Sequence, residues 1–416
     1  MKFLVSKLKK ITAPKCLAVL FLCFCFWVGS HTFIPFLENT ISVVKMGGSL
    51  PDYIETIDKQ YSDMLSTKKE DTGLHNKGTY INLNGLMANL LDQTEVNERF
   101  KLKSGYLASH SLSIQTSILD EVSENMIRIH KKQEEKGKHF LFVLAPSNMY
   151  EHERLLPVGY NDTSNERIHY LLELLDQNGV AYLDLREKMR EDAITNEEAF
   201  FITDHHWKPQ TGFWAYTKIL DNLAQRGVIS PVDEFFTDER NYLFEIYEDA
   251  FLGSSGKRTG RYFAGVDDFC VISPKYETNL SIQVPDSKVD LQGRWENISY
   301  KGGDIARFLA DPDYFNDNPY GRYGQGDVAL THWRNDSAPE DMKLLMIGDS
   351  FANVPYSFLP LYISQCDEMD MRYFEGDFTA HYESFDPDVV IVMVNLNSIR
   401  TVNTLYPYFA EAETEK

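Results

Sequence analysis

The chain has 416 residues, of which 43% are hydrophobic, so it is long enough to bury a sizeable core in one large domain or two ordinary ones. Its formal net charge of −21 argues against a nucleic-acid partner, because phosphate binding depends on clustered lysine and arginine. Such acidity is typical of a surface that keeps a domain soluble, and it excludes neither an enzyme nor a binding protein.

The N-terminus carries an apolar segment behind five lysines, which are Lys2, Lys7, Lys9, Lys10 and Lys15. Between Cys16 and Leu37 only Ser30, His31 and Thr32 are clearly polar, and none of them is a fixed charge. About 20 apolar residues span a hydrocarbon core, and flanking lysines favour the cytoplasmic side. We therefore predict a cytoplasmic tip and a transmembrane signal anchor over residues 1–37. A cleaved signal peptide is the alternative, and either one exports residues 40–416.

A polar stretch over residues 38–78 is typical of a stalk, and one globular domain is predicted from residue 79 to residue 416. Apolar spacing and glycine stops predict helices over residues 118–138, 166–179 and 211–227. Short apolar runs predict buried strands over residues 139–146, 180–185, 344–347, 371–376 and 388–394. Strands that alternate with helices indicate an α/β domain around a largely parallel sheet.

Residues 230–335 interrupt this alternation. They contain short strand-like pieces among Gly, Asp and Asn, namely "YLFEIY", "FCVISP", "LSIQV" and "NISY", and they predict an insertion with β content. Outside the apolar segment the chain has only Cys270 and Cys366, for which a disulfide and two buried thiols both remain open. No CxxC is present, so a cysteine-based zinc site is not indicated.

A serine lies where the predicted strand at residues 344–347 ends, in the sequence Gly348-Asp349-Ser350. Glycine allows a sharp turn, which would place Ser350 at the carboxyl end of a strand, where ligands of open α/β sheets bind. The plainer alternative is that Asp349 or Ser350 only caps the helix that follows.

The segment "TDHHW" (203–207) combines an acid, two histidines and a tryptophan before a predicted helix. It is compatible with a helix cap, a metal site or two members of a catalytic triad. Residues i and i+2 of an extended segment point to the same side, so Asp204 and His206 would lie together while His205 faces away. Ser350 would supply the nucleophile that such a pair activates. Trp207 is interpreted as a packing residue or a sugar-stacking surface.

Together, the sequence GDSF after an apolar strand and the upstream TDHHW resemble the SGNH-hydrolase-like domain of the alginate O-acetyltransferase group, whose Gram-positive relatives are named for DHHW. The resemblance covers roughly residues 79–405 and includes "FVLAPSNMY" (142–150), "FLGSSGKRTGRYF" (251–263) and "DPDVVIVMVN" (386–395). It implies a flavodoxin-like three-layer fold behind a membrane anchor. The carbohydrate-binding domain that could be added to such a fold is not visible in the sequence.

The resemblance also implies site residues. Ser350 corresponds to the catalytic serine, and Asp204 and His206 correspond to the D-x-H pair. In SGNH enzymes a glycine and an asparagine help the serine N–H to form the oxyanion hole, and Asn395 or Asn397 corresponds to the asparagine. No metal and no cofactor is implied. Asn148 stands where relatives often carry a lysine.

The activity implied is O-acetylation of a cell-surface or extracellular polysaccharide through an acyl-serine. The acetyl donor would be delivered by a multi-spanning membrane O-acyltransferase, and the catalytic domain would lie outside a single-pass anchor in the cell membrane, in the extracellular or periplasmic space. The same triad could instead hydrolyse glycan acetyl esters. A tethered glycan-binding or assembly protein without turnover is a third alternative.

Overall fold

The computed structural model of the chain describes residues 26, 77–109, 116–149, 164–395 and 398–399. The chain divides into two units, residues 1–81 and residues 82–416, and most of the described residues belong to the second. The predicted anchor and almost all of the predicted stalk lie outside the described residues, so the proposed boundaries at residues 37 and 78 stay predictions. No helix in the described ranges is long and apolar enough to cross a membrane.

An eight-stranded mixed sheet forms the centre of the domain. Its first five strands are parallel and lie in the spatial order β5 (Tyr182–Asp184), β4 (His139–Ala145), β13 (Val389–Asn395), β11 (Glu340–Gly348) and β12 (Ile363–Met369). Antiparallel pairing then adds β10 (Leu330–Arg334), β8 (Leu280–Val284) and β9 (Val289–Gly293). The α/β class is confirmed, but the sheet is mixed rather than largely parallel, because segments of the predicted insertion extend it.

Smaller strand groups lie outside this sheet. One is the three-stranded sheet of β1 (Glu95–Val96), β2 (Arg99–Lys101) and β3 (Leu107–Ser109), and the other is the hairpin of β6 (Tyr242–Phe251) and β7 (Asp267–Pro274). The longer helices are α1 (Lys77–Leu90), α2 (Thr116–Glu135), α3 (Ser164–Gln177), α6 (Pro209–Gln225) and α12 (Phe378–Phe385). The shorter ones are α4 (Leu185–Glu191), α5 (Asn196–Ala199), α7 (Ser254–Thr259), α8 (Arg261–Ala264), α9 (Trp295–Ile298), α10 (Ala306–Ala310) and α11 (Asn353–Phe358).

Both faces of the parallel strands are buried, because alternate side chains enter two separate cores. In β4, Leu141 and Val143 join the core that contains helix α6, whereas Phe140 and Phe142 join the core that contains α2, α3 and α12. The same alternation runs through β11 and β13. A strand buried on both faces is apolar along its whole length, which is why these strands could be predicted from their composition. The three-layer arrangement leaves the ends of the strands as the accessible edge.

Two strand predictions are wrong. Residues 371–376 are turns, and the strand lies just before them as β12. Strand β12 could not be predicted as a buried apolar run because it contains the acidic residues Asp367 and Glu368. Both are buried, and Asp367 pairs with Arg334. Residues 297–300 contain the end of helix α9 instead of a strand. Cys270 and Cys366 are both buried free thiols.

Candidate active site

Ser350 lies two residues after the end of strand β11, at the edge where the parallel strands end. The chain turns sharply here, and a Cβ atom added to Gly348 would lie 2.6 Å from the Cβ of Ala352. Only glycine therefore fits at the end of the strand without displacing the turn. Helix α11 begins later, at Asn353, and its N-cap Ala352 makes no side-chain cap hydrogen bond. Asp349 and Ser350 are thus not the cap of that helix.

Asp349 ties the turn to the neighbouring strand. Its Oδ1 accepts a hydrogen bond from the N–H of Phe351 at 2.9 Å, and its Oδ2 accepts one from the N–H of Asn395 at 2.8 Å. Because Asp349 is 2% exposed, these charge-assisted bonds are shielded from water. The carboxylate consequently fixes the position of the serine relative to the end of β13.

The TDHHW segment forms a tight loop before helix α6, closed by an isolated bridge between Phe200 and Trp207. The carboxylate of Asp267 anchors the loop from the β7 strand. It accepts hydrogen bonds from the N–H of Ile202 and from both the N–H and the hydroxyl of Thr203, all between 2.6 and 2.8 Å. The N-cap of α6 is Lys208, so Asp204 does not cap that helix.

The structure brings Asp204, His206 and Ser350 into one hydrogen-bonded chain. The Nδ1 of His206 lies 2.6 Å from Oδ1 of Asp204, and its Nε2 lies 2.7 Å from Oγ of Ser350. A carboxylate only accepts hydrogen bonds, so Nδ1 carries the proton and Nε2 is left to accept the serine O–H. This arrangement has the geometry of a nucleophile, a base and an orienting acid.

The Asp204 carboxylate is buried, yet it is surrounded by groups that favour its charged form. Burial by itself would raise its pKa, but the adjacent His205 and His206 and the N–H of Ser254 hold that pKa well below its usual range. Gly253, which precedes helix α7, approaches so closely that an added Cβ would lie 2.3 Å from the Cβ of Asp204. The carboxylate is therefore held ionised and in one position.

Gly253 and Asp267 are the positioning residues that sequence reasoning missed. Gly253 donates its N–H to the hydroxyl of Thr203 at 2.8 Å, and this hydroxyl donates in turn to Asp267. A signal for Gly253 was present, since "FLGSSGKRTGRYF" (251–263) belongs to the stretch that carries the resemblance. Asp267 had no such signal, because an aspartate at a strand start, here followed by Asp268, is unremarkable in sequence.

Aromatic rings enclose the His206 imidazole. Tyr320 stacks on it with ring centroids 4.2 Å apart, and Phe351 lies 5.0 Å away on another side. Trp207 is fully buried against Phe351, so it serves as a packing residue and offers no surface to a sugar. His205 does not face away as expected: its ring lies 3.8 Å from that of His206, and its Nδ1 is 3.1 Å from Oγ of Ser254.

The asparagine predictions have different outcomes. Asn395 lies beside the site, where its side-chain amide donates to the carbonyl of Pro146 at 2.8 Å and lies 3.4 Å from the carbonyl oxygen of Ala145. The oxyanion role stays a prediction, and the contacts observed give Asn395 a positioning role. Asn397 lies outside the described residues. Asn148 is buried, with its amide 3.5 Å from the backbone oxygen of Asp204.

A metal ion is the chemical alternative at this site. Ligand atoms of Asp204, His205 and His206 all lie within 4.8 Å of one another. Both nitrogens of His206, however, already have partners in Asp204 and Ser350. A metal ligated by His206 would have to displace one of those two residues. The geometry therefore favours the hydrogen-bonded chain over a metal centre.

Comparisons with known proteins concern the family and the fold. Residues 106–239, which include Asp204 and His206 and end before Ser350, match the family described as "SGNH hydrolase-like domain, acetyltransferase AlgX". The resemblance to the alginate O-acetyltransferase group is thereby confirmed. A comparison with curated proteins finds no matching sequence.

Solved structures share the fold. Bacillus cereus PatB1 is similar with a TM-score of 0.60 and 19% identity over 74% of this chain and 99% of its own. PatB1 with a sulfonyl adduct gives 0.59 and 19% over 72% of this chain and 97% of its own. A DHHW family protein from Eubacterium siraeum gives 0.51 and 17% over 76% of this chain and 98% of its own. These likenesses show that the chain shares its fold with the three solved structures.

Proposed function

We propose that this chain is a serine-dependent O-acetyltransferase that acetylates a cell-surface or extracellular polysaccharide. The match of residues 106–239 to an acetyltransferase family supports the reaction class. The observation that carries the proposal is the continuous hydrogen-bonded chain from Asp204 through His206 to Ser350. Such a chain is what a serine hydroxyl needs to act as a nucleophile.

The reaction proceeds in two acyl transfers. Nε2 of His206 takes the proton of Ser350 as Oγ attacks the acetyl carbonyl of the donor, and the donor's leaving group departs with that proton. Nε2 then takes the proton of a sugar hydroxyl, whose oxygen attacks the acetyl-serine and releases Ser350 with its proton restored. The ionised Asp204 stabilises the imidazolium formed in each half-reaction. General base catalysis of this kind contributes about 10²–10⁴-fold.

The location and partners follow from the same proposal. Residues 1–37 would hold the catalytic domain outside the cell membrane by a single-pass anchor. There the acetyl donor would be supplied by a multi-spanning membrane O-acyltransferase. The acceptor would be a polysaccharide, and the net charge of −21 opposes a nucleic-acid partner.

A serine-directed probe tests the chemistry. A fluorophosphonate or an aryl sulfonyl fluoride should label Ser350 in the native protein, because His206 activates its hydroxyl. The His206→Ala variant should label far more slowly, while an exposed serine such as Ser230 should remain unlabelled in both proteins. A native protein that is not labelled at Ser350 would favour the non-catalytic glycan-binding alternative.

Transfer and hydrolysis use the same three residues, so the glycan itself must distinguish them. Mass spectrometry of the cell-surface polysaccharide should show fewer acetyl groups in a deletion strain than in its parent. Complementation with the Ser350→Ala form should fail to restore them. A gain of acetyl groups in the deletion strain would instead identify the chain as an acetyl esterase.

A further inference from the structure

Helix α1 carries small residues on its buried side and large apolar residues on its solvent side. Gly85 and Ala88 are buried against the domain. The opposite side, continued by Leu91 just after the helix, exposes between 39% and 69% of each of five residues, which are Leu83, Leu86, Met87, Leu90 and Leu91, called here the outer face. A surface helix normally has the reverse arrangement, with large apolar residues toward the core.

The outer face is one continuous stripe. Positions 83, 86, 87 and 90 follow the spacing i, i+3, i+4 and i+7, which places their side chains on one side of a helix. The backbone of Gly85 packs so closely against helix α7 that an added Cβ would lie 2.3 Å from the carbonyl oxygen of Thr259. Rotating the helix to bury the large residues would bring a leucine or methionine side chain into this space, where it would clash. Only a residue without a side chain fits against helix α7 at that point. The close packing at Gly85 therefore keeps the stripe on the solvent side of the helix.

The outer face is itself uncharged, with Asp92 directly after it in the chain and the basic Arg261 beside its helix. Residues 78–91 contain no charged side chain, although the whole chain has a net charge of −21. Arg261 and Tyr262 of the adjoining helix α8 lie beside this helix, since the N–H of Arg261 donates to Oδ1 of Asn82 at 2.9 Å. The amide of Asn89 also donates to the backbone oxygen of Tyr262, whose ring is half exposed beneath the Arg261 guanidinium.

We infer that the outer face docks onto the surface of a phospholipid bilayer, with Arg261 and Tyr262 at the level of the headgroups. Leucine-rich helix faces bind in this way at the interface, where tyrosine and arginine are favoured. A bilayer fits better than a protein partner because the face is an uncharged leucine and methionine stripe with few groups to pair. The predicted anchor over residues 16–37 would bring the domain to the same membrane. This inference rests on that location and not on the acyl-transfer chemistry.

Fluorescence quenching by lipids tests the inference in the full-length chain. Leu90→Cys is labelled with a small fluorophore and reconstituted into vesicles of phosphatidylethanolamine and phosphatidylglycerol that contain a phospholipid with a nitroxide on its acyl chain. The matched control is Ile246→Cys on strand β6, where the side chain is 63% exposed. Cys16, Cys23 and Cys25 are replaced by alanine in both chains, and the buried Cys270 and Cys366 are kept.

The label at position 90 should be quenched several-fold more strongly than the label at position 246. Adding Leu86→Asp to the first chain should reduce its quenching to the level of the control, because a carboxylate cannot enter the acyl region without cost. Both substitutions are at exposed positions, so an unchanged melting temperature verifies the fold. Equal quenching at the two positions would overturn the inference. Cross-linking between two Leu90→Cys chains without quenching would also overturn it, by assigning the face to a second copy.

Discussion

Replacing Gly253 with alanine should disable the site without changing any catalytic group. The added methyl carbon would lie 2.3 Å from Cβ and 2.7 Å from Cα of Asp204, whereas ordinary contact begins at 3.4 Å. The two segments must therefore separate by about 1 Å, because both neighbouring atoms are close to the backbone and cannot rotate away. Asp204 would then no longer hold His206 at hydrogen-bonding distance.

The expected loss of activity can be bounded from two sides. A displacement of 1 Å at a catalytic group costs about 10²-fold in rate. Complete loss of an orienting aspartate costs about 10⁴-fold. We therefore expect the kcat of Gly253→Ala for a chromogenic acetyl ester to fall by about 10²–10⁴-fold, with a smaller change in KM. The overpacking itself should cost about 1–3 kcal/mol of stability, which thermal unfolding measures.

Gly85→Ala is the matched control, because it creates an equally close contact away from Asp204. Its added Cβ would lie 2.3 Å from the carbonyl oxygen of Thr259, at the other end of helix α7 from Gly253. It should lower the melting temperature by a similar amount and leave kcat within about twofold. If Gly253→Ala kept the kcat of the native protein, the positioning of Asp204 by this glycine would be refuted. Equal losses of kcat in both variants would attribute the effect to destabilisation.

Three further predictions concern other residues. His206→Ala should lower esterase kcat by about 10²–10⁴-fold and His205→Ala by less than about tenfold, because His206 is the histidine that contacts Ser350. Equal losses in the two variants, or rescue of activity by added zinc, would favour a metal site instead. Burial and neighbouring carboxylates raise the pKa of Glu368 well above 4.5, so its contribution to stability is full below that pH and is lost as the pH rises above it. Chemical denaturation of Glu368→Gln should therefore show a shallower decline of stability with rising pH than the native protein. A reductant should leave the melting temperature unchanged, because Cys270 and Cys366 are free thiols, and a melting temperature lowered by reductant would indicate a disulfide. A thiol reagent should react with these two cysteines only after unfolding, since burial raises the pKa of both thiols.

Much of the parallel part of the sheet could be predicted because each of its apolar strands is buried on both faces. Strands β4 and β13 consist almost entirely of large apolar residues, so their composition alone identifies them. Strand β12 could not be identified in this way, since its buried Asp367 and Glu368 give it the composition of a surface segment. The attachment of β10 to β12 and to β8 was missed for another reason, because pairing partners far apart in sequence leave no local signal.

The candidate site was predictable to a different degree. Two short motifs 144 residues apart suggested Asp204, His206 and Ser350, and the structure brings these three side chains together. Their spacing could not reveal how the aspartate is held, because Gly253 and Asp267 act through backbone contacts. It also misplaced His205, since the turn that Asp267 imposes on the loop is not an extended strand. A glycine whose only role is to let its backbone lie against a catalytic side chain leaves little signal in the sequence.

The central claim is that Ser350 carries the acyl group during catalysis. Rapid-quench mass spectrometry of the protein mixed with a reactive acetyl ester tests it most directly, with peptide mapping of any acetylated residue. We expect an acetyl group on Ser350 that forms and decays at rates compatible with turnover, and no such adduct in the Ser350→Ala protein. Turnover without acetylation of Ser350, or an acetyl group that forms on another residue at the turnover rate, would contradict the claim.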